Sequence, residues 1–213
     1  MSKKNDTDNH IEMEKRKSML TDCVLCPRNC HADRINGRRG RCHETAEIVV
    51  ARAALHMWEE PCISGDAGSG AVFFSGCPMG CVFCQNHNIA EAKAGKTITV
   101  ERLSEIFLEL QEKGAANINL VTPTHYVLQI IEALDLARKE GLSLPIVYNT
   151  SGYEKPETIR MLEGYVDVYL PDFKYMEPEL AAAYSYAPDY PEYAKASIKE
   201  MLRQAGKIQI DKE

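Results

Sequence analysis

The stretch AVFFSGCPMGCVFCQN, residues 71–86, decides the architecture: a short apolar strand, Ala71–Ser75, runs straight into a loop carrying three thiols as Cys77-x3-Cys81-x2-Cys84. Gly76, Pro78 and Gly80 punctuate the loop, so its backbone can wrap around one inorganic centre. A strand apolar on both faces belongs in a sheet that is covered on both sides. Downstream the pattern repeats. Val100–Lys113 carries Leu103, Ile106, Phe107 and Leu110 at helical spacing and stops at Gly114. Strand Asn117–Val121 passes through a Thr-Pro-Thr turn into a helix over Tyr126–Glu140, and strand Pro145–Tyr148 precedes a short helix opened by Pro156. Val166–Leu170 is the fourth strand, followed by a Tyr/Pro/Ala-rich connection and a last helix near Tyr193–Gln204. Upstream, Ile48–Leu55 reads as a further strand before the turn-rich EEPCISGDAGSG, which lacks the Gly-Lys-Ser/Thr ending of a phosphate loop.

Such alternation predicts an α/β fold: a parallel sheet flanked by helices, curled by right-handed crossovers into a partial (β/α) barrel, with a small Cys-rich N-terminal segment. The expected divisions are a flexible leader over residues 1–20, a Cys-rich metal-binding segment over 21–60 and the core over 61–213. Every unusual polar motif (SGCPMGCVFCQN, TPTHY, NTSGY and PDFKY) follows a strand, which places the chemistry at the C-terminal strand ends.

Eight cysteines without a signal peptide favour metal or cluster ligation over disulfides. Three thiolates for a four-iron cluster leave one iron open to a small molecule. The competing interpretation is a zinc knuckle that borrows His87 or another residue as its fourth ligand. Four further cysteines, Cys23, Cys26, Cys30 and Cys42, offer a second soft-ligand set suited to zinc or to another cluster. Spacing alone does not choose between them, and a structural metal is the favoured reading. Cys62 stands apart as a buried or idle thiol.

The net charge of −6 divides into +4 over residues 1–41 and −10 over the remainder. The basic segment reads as a solvated leader plus a knuckle whose thiolates favour nearby cations, and the acidic remainder disfavours nucleic acid. No apolar run approaches the roughly 18 residues of a membrane helix, so a soluble, cytoplasmic protein without a membrane partner is expected.

The cysteine loop resembles the signature of the radical S-adenosylmethionine (SAM) superfamily. The longer string ARAALHMWEEPCISGDAGSGAVFFSGCPMGCVFCQN, with NINLVTPTHY, PIVYNTSGY and VDVYLPDFKYM, looks like the PflX-type branch related to pyruvate formate-lyase activating enzymes. That resemblance implies a [4Fe–4S] cluster on Cys77, Cys81 and Cys84 and SAM as cofactor. It also implies reductive cleavage to a 5′-deoxyadenosyl radical, a reduced flavodoxin or ferredoxin-type electron donor, and a glycyl radical enzyme as protein substrate. It places Phe83 near the adenine, Asn149 and Thr150 at an Asp-Thr position of related enzymes, and Asp172 and Lys174 at the zwitterionic end of SAM. Thr122 and Thr124 stand where many relatives carry Gly-Gly-Glu and would accept the SAM ammonium, and His125 is either catalytic or a helix cap. His56, Trp58, Glu59 and Glu60 are candidates to face the substrate. Relatives carry further strands, so an exposed sheet edge, an open pocket and weak SAM affinity or aggregation are expected. The alternatives are radical chemistry on a small molecule or peptide, and a non-catalytic metal-binding protein.

Overall fold

The computed structural model describes residues 18–206, so residues 1–17 of the expected leader lie outside the described residues. One six-stranded sheet organises them, in the order β3-β1-β2-β4-β5-β6. Its strands are β1 (Ile48–His56), β2 (Ser69–Phe74), β3 (Lys96–Ile98), β4 (Ile118–Val121), β5 (Ile146–Thr150) and β6 (Val168–Pro171). The run β2-β4-β5-β6 is parallel, with Val72 opposite Leu120, Leu120 opposite Tyr148 and Tyr148 opposite Tyr169. These are the four strands expected from Ala71 onward, and the sheet does not close.

The other edge departs from the all-parallel expectation. β1 runs antiparallel to β2, with Leu55 opposite Gly70, and β3 antiparallel to β1. The β1–β2 connection holds only one helical turn, α1 (Pro61–Ser64), inside what reads in sequence as a linker, and the chain returns beside β1 in the opposite direction. Cys62 in that turn is exposed, which corrects the buried alternative.

After α2 (His87–Ala90), α3 (Val100–Glu112) and α4 (Val127–Lys139) cover the sheet. Thr99 caps α3 by accepting the Arg102 amide at 3.1 Å. Leu103, Phe107 and Leu110 of α3 join Val72, Phe74, Ile118, Leu120, Ile130 and Leu134 in the main core. A second cluster gathers Val127, Ile131, Tyr148, Ile159, Leu162 and Met201 beneath α5 (Pro156–Arg160). Two helices then follow β6, namely α6 (Pro178–Ser185) and α7 (Tyr190–Ala205). α6 occupies the expected irregular connection, and α7 starts three residues before the expected Tyr193, because Pro178 and Pro191 stand in first turns, where the missing amide costs nothing. Among the described residues no helix is long and apolar enough to cross a membrane.

A third cluster, of Met79, Tyr153, Tyr175, Ala181, Ala187, Tyr190 and Ala194, receives Cys77 and Cys81 against it, so the cysteine loop rests on an aromatic platform. Tyr190 is its centre. Its hydroxyl shares its one hydrogen between the carbonyls of Ser151 (2.8 Å) and Asp172 (2.9 Å) and accepts the Lys174 amide (2.8 Å), tying together the ends of β5 and β6. Tyr190→Phe should cost about 2–3 kcal/mol in urea unfolding, because three backbone groups lose their partner at once. A loss below about 0.5 kcal/mol would mean that water replaces the hydroxyl there.

Candidate functional site

The loop after β2 turns sharply at Gly76, whose φ is 84°. A Cβ there would stand 2.5 Å from the Cys42 carbonyl and 2.6 Å from the Glu44 side chain, so only glycine fits. The turn carries the cysteines into a cleft of about 630 Å³, within the range of small-molecule sites. Cys77, Cys81 and Cys84 line this cleft together with Phe83, Thr122, Asn149, Thr150, Asp172 and Lys174. Residues from the loop and from the ends of β4, β5 and β6 are therefore brought to one place.

Their environments differ. Burial pushes the Cys77 thiol up to about 11, although the Met79 amide donates to its sulfur at 3.4 Å. Ser185 donates its hydroxyl to the Cys81 sulfur at 2.9 Å. Phe83 is largely exposed and meets the edge of Tyr175 with ring centroids 6.4 Å apart. Asp172 and Lys174 pair at 2.5 Å at the rim, where such a pair contributes little to stability and stays available to a ligand. Thr122, at φ 56°, donates its amide to the Asn149 carbonyl and bends the chain out of β4.

Thr124 is not among the cleft-lining residues. It is buried, and its hydroxyl donates to Glu154 at 2.6 Å, as does that of Thr150 at 2.6 Å, with Tyr148 more distant at 3.4 Å. Glu154 is fully buried and its second carboxyl oxygen has no partner. Sequence reading missed this residue; its only signal is the sixth place of NTSGYE. Burial pushes its carboxyl up to about 7 despite the hydroxyls that favour ionisation. Between 4.5, the ordinary value, and about 7 the folded state thus holds a proton that the unfolded chain has released. The contribution is complete below the lower value and is lost as pH rises through the upper one, roughly 3 kcal/mol in all. Glu154→Gln should flatten this decline, read as the difference between wild-type and variant urea midpoints across that window. Parallel pH profiles would show that Glu154 does not titrate there.

His125 neither caps a helix nor lines the cleft. It is buried, and its Nε2 lies 2.7 Å from the Ser75 carbonyl, which only accepts, so Nε2 carries the hydrogen. Burial pushes its protonation down to about 3 and keeps it neutral. His87 pairs with Glu91 at 3.0 Å on the exposed face of α2 and does not line the cleft. His56 and Glu59 do line the cleft together with Arg52, and Asn119 holds Glu59 at 2.7 Å, whereas Trp58 is exposed.

The N-terminal cysteines also draw together. A Cβ on Gly40 would lie 3.1 Å from the Cys30 sulfur and 3.5 Å from that of Cys42. Burial pushes Cys26 up to about 12, with Cys42 and Cys23 adding to the rise. Arg34 reaches the Cys23 sulfur at 3.8 Å from a wholly buried position. Among the described residues no three Cys, His, Asp or Glu side chains are grouped so as to hold a metal ion as they stand. The donors fit the groups. Thiols receiving N–H and O–H hydrogen bonds suit an iron–sulfur centre, and a cleft with an ammonium and a carboxylate at its rim suits a zwitterion.

An open α/β sheet with a three-cysteine loop at its strand ends defines a class of metal-cluster proteins. Residues 71–211 match the family described as the Radical SAM superfamily, and the chain belongs to it. Membership implies a [4Fe–4S] cluster and SAM. An uncharacterized protein of Methanocaldococcus jannaschii is 30% identical over 189 residues, covering 84% of this chain and 53% of its own length. The chain thus spans about half of that relative. No solved structure gives a significant match.

Proposed function

We propose that this chain is a SAM-cleaving enzyme of the PflX-type branch, and that it activates a glycyl radical enzyme by hydrogen abstraction. The observation that carries the SAM-cleaving part is the convergence of Cys77, Cys81 and Cys84 with the polar ends of β4, β5 and β6 in one cleft. When bound, the [4Fe–4S] cluster would supply the one-electron reduction that splits SAM into methionine and a 5′-deoxyadenosyl radical. Cys77, Cys81 and Cys84 would hold the cluster. Asp172 and Lys174 offer a carboxylate and an ammonium to the SAM zwitterion, and Asn149 and Thr122 orient the same end. Phe83 presents its ring to the adenine. Asn149 replaces the aspartate of related activating enzymes and so contributes a dipole rather than a charge. A flavodoxin or ferredoxin-type protein supplies the electron.

Within the same proposal, Cys23, Cys26, Cys30 and Cys42 hold zinc or a second cluster. Support comes from the Cys30 and Cys42 sulfurs meeting over Gly40, from Cys42 and Cys23 standing near enough to Cys26 to raise its thiol, and from the buried Arg34 beside Cys23, whose guanidinium would offset thiolate charge.

The test is anaerobic cluster reconstitution followed by reduction with excess SAM. Methionine and 5′-deoxyadenosine are expected in equal amounts, and a glycyl radical signal is expected on adding a glycyl radical enzyme. A stable cluster without 5′-deoxyadenosine would sink the catalytic reading. Cleavage without a glycyl radical on any such enzyme would sink the activase reading alone.

A further inference from the structure

We infer that metal ligation at the N-terminal cysteines locks the SAM-cluster loop in place, with Arg28 as the positioning residue that carries the lock across. The inference rests on the reading of Cys23, Cys26, Cys30 and Cys42 as metal ligands and adds what that centre is for.

Arg28 sits at the tip of the Cys26-Pro-Arg-Asn-Cys30 turn. Its guanidinium reaches out of the N-terminal segment and spans two separate pieces of backbone. Nε donates to the Pro78 carbonyl at 2.7 Å and Nη2 to those of Met79 at 3.0 Å and Ser185 at 2.9 Å, while Nη1 donates to that of Tyr186. Four of its five N–H groups are used, and the plane lies over the Tyr153 ring at 5.1 Å. Pro78 and Met79 stand between two cluster ligands, Cys77 and Cys81. Ser185 is the residue whose hydroxyl donates to the Cys81 sulfur. One guanidinium thus fixes the backbone before Cys81 and the hydrogen-bond donor to Cys81 together.

The same segment touches the loop at two further places. Gly76 lies against the Cys42 carbonyl, and a Cβ on Gly80 would meet the Arg41 guanidinium at 3.3 Å. The turn that aims Arg28 has few bonds of its own. Asn29 holds a left-handed backbone at φ 42°, its amide donates to the Cys26 carbonyl at 3.2 Å, and Lys155 bonds its side chain. A metal gripping Cys26 and Cys30 at the two ends would fix the turn, because ligation supplies order that a short loop lacks. Lysine in place of Arg28 would keep the charge but could not span four carbonyls.

The test removes the SAM cluster so that the two centres are separated. The Cys77→Ser/Cys81→Ser/Cys84→Ser chain, stripped of metal, is given one equivalent of zinc, and zinc content and amide exchange over residues 79–83 are measured. Zinc should bind and slow exchange there by about fivefold or more, including at Val82, whose amide donates to the Tyr184 carbonyl at 2.9 Å. Adding Arg28→Ala or Arg28→Lys should leave zinc bound but remove the slowing. Bound zinc with unchanged exchange, or equal slowing without the arginine, overturns the lock. Absence of bound zinc overturns the metal reading beneath it and the lock with it. Neither result bears on SAM cleavage, which the 5′-deoxyadenosine assay decides separately. A second measurement leaves the cluster ligands intact: Arg28→Ala in the otherwise native chain should lose reconstituted cluster iron about tenfold faster on gel filtration, as loss of outer-shell partners does elsewhere. Unchanged retention also overturns the proposal.

Discussion

Cys77→Ala will form no 5′-deoxyadenosine above background, a fall of at least about a hundredfold, since changes to outer-shell groups alone cost metal sites ten- to a hundredfold. Three loop thiolates hold three irons of a [4Fe–4S] cluster and leave the fourth open. Cys77 is the ligand whose loss the loop can least absorb. It packs against the aromatic cluster of Met79 and Tyr190, and its sulfur takes the Met79 amide, so no other side chain can swing into its place without repacking that platform. Cys62→Ala should change nothing, because Cys62 is exposed on α1 and does not line the cleft. The two variants together separate loss of a ligand from general sensitivity of a thiol-rich protein to oxygen. Retained SAM cleavage in Cys77→Ala would mean that the loop does not hold the cluster.

The parallel strands and the cysteine loop were legible because burial on both faces leaves an unbroken apolar run, as in Ala71–Phe74, and because cluster ligands must lie close in sequence when one loop supplies them. β3 was not legible. Lys96–Ile98 is three residues long and mostly exposed, and it is a strand only because β1 pairs with it. In Thr122-Pro-Thr124 both hydroxyls carry the same chemistry on paper. The single turn of 3-10 helix beginning at Thr124 sends that hydroxyl inward to Glu154, while Thr122 lines the cleft. Glu154 itself lacks any local pattern, since its partners come from β5 and from the turn after β4. The cations among the N-terminal cysteines were expected beside thiolates. That one of them, Arg34, is almost wholly buried was not expected, because arginine is seldom enclosed without tertiary partners.

Those partners make Arg34→Met the most destabilising single change expected outside the cluster loop, about 3–5 kcal/mol in urea unfolding. Nε and Nη2 donate to the Thr45 carbonyl at 3.1 and 2.6 Å, and Nη1 donates to the His125 carbonyl at 2.7 Å and approaches the Cys23 sulfur at 3.8 Å. The plane also faces the Tyr126 ring at 5.6 Å. Methionine fills a similar volume but offers no donor, so two carbonyls remain desolvated and unpaired. Burial raises the carboxyl of Glu44, and while Ser75, Arg39 and Tyr126 would still draw it down, the smaller pull of Arg34 is lost. Against this stands the cost of enclosing a charge, which makes some buried ionic groups replaceable by apolar ones without loss. Zinc decides between these effects. Four thiolates around a divalent ion carry net negative charge, so the guanidinium should matter more with metal than without it. The penalty of Arg34→Met should therefore grow when the unfolding is repeated with one equivalent of zinc. A variant as stable as wild type in both conditions would show that enclosing the charge costs as much as its hydrogen bonds return, and that the N-terminal thiols need no counter-cation.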